Sequence, residues 1–254
     1  MKLHYQTFGS GRPLVILHGL FGSADNWRGL AKNLAEYAYV ITVDLRNHGR
    51  SPHSLEQSYE LMAEDLRELL NELDLNAIDL IGHSVGGKVA MTFAQNYPEL
   101  LHQLVVVDIA PRAYSDEHSK IFDALLALDL LSYSSRSEVD RALSVTLPNK
   151  AVRQFLLMNL ALEDGLLNWR INLPTLSESY PKLLHSVCDN KIIDIPTCFI
   201  RGGGSTYVGD DDVDLIKTIF PDSELYTIER AGHWVHAEAP ELFQSKIIEF
   251  FNYD

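Results

Sequence analysis

Short apolar runs alternate with helix-length amphipathic segments along most of the chain. Runs 14–17, 39–43, 78–81, 104–107 and 197–200 are apolar on nearly every successive residue, which predicts strands covered on both faces, and 225–228 predicts a last one. The opening run 3–6 alternates apolar with polar residues and predicts an edge strand with one face in water. Between the strands, 60–73 carries Leu61, Ala63, Leu66, Leu69, Leu70 and Leu73 at helical spacing, and 240–251 repeats the pattern with Leu242, Phe243, Ile247, Ile248 and Phe251. Strands alternating with helices predict a mostly parallel α/β sheet with helices on both faces. The rhythm breaks once, where about 88 residues separate Asp108 from Pro196, far beyond an ordinary crossover. Runs 121–131, 139–147 and 151–160 read as helical there. The expected organisation is therefore a core of residues 1–110 and 191–254 with a helical cap insertion at 111–190.

Composition narrows the class. The 254 residues are 46% hydrophobic and 22% charged, enough for a full core without covalent staples. A net charge of −14 argues against a nucleic-acid partner and against anionic membranes, since both need a basic face. Two cysteines, Cys188 and Cys198, do not make a disulfide framework. No uncharged apolar run approaches the roughly 18 to 20 residues of a bilayer span, and the first residues lack a secretion signal, so a soluble cytoplasmic protein is expected.

The candidate chemistry centres on Gly82-His83-Ser84-Val85-Gly86, a G-x-S-x-G that follows the strand at 78–81 and opens a helix at 87–96. On such a turn the serine hydroxyl is held above the sheet, flanked by residues small enough for the backbones to approach. A serine needs a base, and among the ten histidines His233 has the best context, in Ala231-Gly232-His233-Trp234 after the last strand. His83 flanks the serine but is expected to pack rather than react. His4, His53, His102, His118 and His185 read as surface or core residues. His236 pairs with His233 as H-x-x-H but lacks further ligands, so no metal is expected. The backbone N–H groups of Val85 and Leu20, the latter in His18-Gly19-Leu20-Phe21-Gly22 after the first buried strand, are candidates for an oxyanion hole. The stretch 44–51 reads as a structural loop beside the site.

Taken with 44–51, Val107-Asp108-Ile109-Ala110-Pro111 and 232–238, these motifs resemble the α/β-hydrolase superfamily over nearly the whole chain, most of all the YbfF-type esterases. The resemblance implies a cofactor-free serine hydrolase acting on small esters, and on acyl-thioesters, with a helical cap over the site; Trp234 and Phe21 are the candidate substrate-binding residues, and the cap and Trp234 are expected to border the acyl group. Val85 departs from the common methionine, which should alter only the pocket wall. An aspartate at the Ser84 position marks the dehalogenases and epoxide hydrolases of the superfamily, so those activities are not expected. Two other readings stand beside the esterase: a pyruvate-eliminating lyase like the menaquinone-pathway synthase, and a catalytically silent receptor of the same fold. The acid departs from the commonest pattern, because Ser205 stands where the aspartate after the strand at 197–200 is usual. A hydroxyl cannot stabilise an imidazolium as a carboxylate does. Asp108, at the end of the strand at 104–107, is the expected acid, with Asp210, Asp211 or Asp212 as the alternative.

Overall fold

The computed structural model describes residues 1–189 and 191–253; Asn190, the expected end of the insertion, lies outside them. Seven strands form one sheet in the order β1-β3-β2-β4-β5-β8-β9: β1 (Tyr5–Phe8), β2 (Pro13–Leu17), β3 (Tyr39–Val43), β4 (Ile78–His83), β5 (Leu101–Val107), β8 (Thr197–Gly202) and β9 (Ser223–Ile228). All neighbours run parallel except β1, which pairs antiparallel with β3 through Tyr5 opposite Val43. The edge strand was anticipated, two residues earlier than it forms.

Alternate side chains of each buried strand feed two separate cores, which is why these strands are apolar throughout. Leu14, Ile16, Val105 and Val107 pack with α1 (Arg28–Leu34) and α10 (Pro240–Phe251) through Leu30, Leu34, Phe243 and Ile247. Val15, Leu17, Leu80 and Val106 pack on the other face with α2 (Tyr59–Glu72) and α3 (Val85–Asn96). Ser58 caps α2, its side chain accepting from the Leu61 N–H, and fixes where that helix starts.

Residues 111–189 supply four helices, α4 (Ser119–Leu126), α5 (Arg136–Leu143), α6 (Lys150–Leu157) and α7 (Leu173–Leu183). The expectation of an all-helical insertion needs correction. An antiparallel hairpin, β6 (Leu160–Glu163) and β7 (Leu166–Trp169), joins α6 to α7. Asp164 at φ 51° and Gly165 at φ 79° make its two-residue turn, the positive-φ pair a tight hairpin requires. Helical periodicity missed it because four-residue strands are too short to declare a period. The insertion has no isolated core: Phe122, Leu125, Leu156 and Leu176 belong to the same buried cluster as α2 and α3. The chain resumes with α8 (Val213–Ile219) after β8 and with the short α9 (Val235–Glu238) between β9 and α10. No described helix is long and apolar enough to cross a membrane.

Candidate active site

The site forms at the carboxyl ends of β2, β4, β5, β8 and β9, where successive loops converge. Ser84 follows β4 at φ 53°, ψ −118°, a conformation costing on the order of 1–3 kcal/mol that its surroundings impose. Its N–H donates to the Val107 carbonyl at 3.0 Å, and its carbonyl accepts from Gly87 and Lys88 at 2.8 and 3.1 Å, so the elbow is tied both to the next strand and to the first turn of α3. A Cβ at Gly86 would come within 2.5 Å of the His18 carbonyl oxygen and 2.7 Å of that of Leu17, so only glycine lets α3 start this close to β2.

Two backbone donors flank the serine. Val85 opens α3, where an N–H has no intrahelical acceptor and sits at the positive end of the helix dipole. The Leu20 N–H has no hydrogen-bond acceptor among the described residues. The loop carrying it is held by His18, a role the sequence did not suggest. His18 Nε2 accepts from the Leu45 N–H at 3.0 Å, which puts the proton on Nδ1, 2.8 Å from the Gly19 carbonyl. Burial lowers His18 to about 4, so the ring remains neutral and keeps this tautomer.

Asp108 ends β5 at φ 49°, fully buried. Its Oδ2 lies 2.7 Å from His233 Nδ1 and also accepts from the Ser205 hydroxyl, while Oδ1 accepts from the Gly202 N–H at 3.1 Å. Of the alternative carboxylates, Asp210 pairs with Arg201 and Asp212 with Arg112, each at 2.7 Å, and Asp211 is exposed. Ser205 is thus a partner of Asp108 rather than a vacancy where an acid was lost.

His233 itself is fixed on three sides. Tyr207 stacks on its ring with centroids 4.0 Å apart, and His83 donates its Nε2–H to the His233 carbonyl at 2.9 Å. His83 packs against His233, with ring centroids 4.7 Å apart. From α9, Glu238 accepts from the Gly232 N–H at 2.8 Å and the Trp234 N–H at 3.3 Å, clamping the loop on both sides of His233. Glu238 closes the stretch 232–238 that carried the resemblance, where sequence alone assigned it no role of its own. His236, stacked on Trp27 at 3.9 Å, is lowered to about 3 by burial and lies in the wall.

Ser84, His233, Leu20, Phe21 and Trp234 line one cavity of about 700 Å³. Its far side comes from the insertion, through His118, Phe155, Leu156 and Met158. His118 was read as a bystander and is a wall residue. Of the apolar residues in the helical runs of the insertion, Phe155 and Leu156 reach the cavity, whereas Phe122 and Leu125 are core and Leu126 and Leu131 face solvent. Val85 is on a second, smaller chamber that also reaches Ser84.

Known proteins fit this geometry. The α/β-hydrolase fold family profile matches residues 12–240. The sn-1-specific diacylglycerol lipase ABHD11 of Danio rerio is 40% identical over 98% of this chain and 82% of its own. Esterase YbfF of Escherichia coli (strain K12) is 38% identical over 97% of this chain and 96% of its own. A solved marine microorganism esterase superposes with a TM-score of 0.96 at 41% identity, covering 98% of this chain and 99% of that one. A profile match over residues 12–240, near-complete coverage by relatives and a serine elbow on a mostly parallel sheet together place this chain in the α/β-hydrolase fold family.

Proposed function

We propose that the chain hydrolyses carboxylic esters, and thioesters of the same acyl groups, through a covalent acyl-serine at Ser84. The observation that carries this reading is the buried Asp108 carboxylate 2.7 Å from His233 Nδ1, with His233 and the strained Ser84 on one cavity. With Nδ1–H donated to Asp108, His233 Nε2 is the nitrogen that takes the Ser84 proton as Oγ attacks the carbonyl carbon. The Leu20 and Val85 N–H groups receive the charge developing on the carbonyl oxygen. The imidazolium, stabilised by Asp108, returns its proton to the departing oxygen or sulfur. A water molecule deprotonated by His233 then releases the acid and restores Ser84. Residues 111–189 act as the cap, closing the cavity with Phe155, Leu156 and Met158. The names of the relatives, esterase and diacylglycerol lipase, accord with this chemistry.

Labelling with a fluorophosphonate, followed by peptide mass mapping, should place the adduct on Ser84. Ser84→Ala should abolish labelling and lower ester turnover by about 10⁶. Retention of more than about a tenth of the turnover would remove Ser84 as the nucleophile.

A further inference from the structure

Ser84 stands between two chambers of very different size. One is the cavity of about 700 Å³ that holds His233 and Trp234; the other, about 40 Å³, is walled by Val85, Ile109, Leu183 and Leu184 and closed by Lys88 and tyrosines. His233 borders only the large one among the described residues. If ester hydrolysis proceeds at Ser84 as proposed above, that asymmetry orients the substrate. A general acid must lie within hydrogen-bond reach of the atom it protonates, so the departing oxygen is on the His233 side. The water that deacylates the enzyme is activated by the same nitrogen and enters from the same side. The acyl group, bonded to the same carbon but pointing away from the base, has the small chamber left to it.

We infer that the small chamber is the acyl pocket and that the protein selects short acyl groups joined to bulky alcohols. The chamber is more than tenfold smaller than the cavity, so it suits a short acyl group, acetyl to butyryl, and not a long chain. Its far end does not invite a longer chain. Lys88 is buried there with its ammonium 4.9 Å from the Tyr114 ring and 5.6 Å from the Tyr59 ring, and donates to the His185 carbonyl. Driving an apolar chain past it would strip that nitrogen of partners. Trp234, placed beside the acyl group from sequence, moves to the alcohol side. The large cavity, flanked by Phe155 packed on Trp234 at 5.6 Å, takes the leaving group.

Two substrate series test the orientation. With p-nitrophenol as the common leaving group, kcat/KM should fall at least about tenfold between butyrate and octanoate. With acetate as the common acyl group, 1-naphthyl acetate should stay within a few-fold of phenyl acetate. Leu183→Ala, or the less buried Leu184→Ala if the first fails to fold, should raise the octanoate-to-acetate ratio about fivefold or more. Trp234→Ala should leave that ratio unchanged and alter the naphthyl-to-phenyl ratio. An acyl profile rising to octanoate, with naphthyl acetate excluded, would reverse the two chambers and overturn the inference while leaving the ester hydrolase standing. Turnover of no ester, with Ser84 unlabelled by fluorophosphonate, would instead bring down the hydrolase reading and this inference with it.

Discussion

Asp108 takes three hydrogen bonds, from His233, Ser205 and the Gly202 N–H, and each acts on the charge that His233 needs beside it. Neutralising it leaves His233 without a fixed tautomer. Asp108→Asn should therefore cut ester turnover by about 10⁴, the scale seen when a triad aspartate becomes an amide. Asp210→Asn, which removes only one of Arg201's partners at an exposed position, should change turnover less than about twofold. Opposite losses in parallel kcat/KM measurements would assign the acid to the later loop. Ser205 shares Oδ2 with His233 and lines neither chamber beside Ser84, so its hydroxyl acts on the carboxylate alone. Ser205→Ala should lower kcat by roughly tenfold with KM unchanged, a split that mere loss of folded protein would not produce.

At the scale of elements, the site depends on how closely α3 approaches β2. Gly86 makes that contact against the Leu17 and His18 carbonyls, both backbone atoms that cannot swing aside. Gly86→Ala should push α3 away and misalign the Val85 and Leu20 N–H groups. Turnover should drop by at least about 10², the usual loss when one oxyanion donor is removed, even in the fraction that remains folded by circular dichroism. Undiminished kcat in that variant would show that the hole tolerates a shifted helix. The loop of His233 depends on one contact in the same way: a single carboxylate, Glu238, on the four-residue α9 holds it on either side of that residue.

Across the whole molecule, packing the loops over one end of the sheet buries histidines that water would otherwise protonate. Burial lowers His18 to about 4 and His48 and His236 to about 3, against about 6.5 in the unfolded chain. These groups bind more protons unfolded than folded below neutrality, so their stabilising contribution is complete above pH 6.5 and drains away as pH falls towards 4 and 3. His18 alone should remove about 3 kcal/mol between pH 7 and pH 4. Urea unfolding at pH 7, 5.5 and 4.5 should show a steadily falling midpoint. A midpoint flat across that range would mean the histidines ionise without unfolding.

The sequence by itself determined the strands, the edge strand, the two flanking layers of helix and the position of Ser84, because each follows from local periodicity or from glycines that permit one turn. It also narrowed the histidines to His233, whose loop follows the last strand. What singles out Asp108 among the carboxylates is spatial: Asp108 and His233 are 125 residues apart and meet because β5 and β9, which they follow, flank β8 in the sheet. Ser205 looked like a missing acid because a one-dimensional motif cannot show that its hydroxyl points back at the acid on the adjacent strand. The hairpin at β6 and β7 and the inward role of His118 stayed hidden for a related reason, since short strands and single wall residues carry no period. The unequal chambers on either side of Ser84 belong wholly to the tertiary structure. Residues of α2, α3 and α7 close around the small one while the loop after β2, α6 and the loop of His233 bound the large one, and no local pattern encodes the volume left between them.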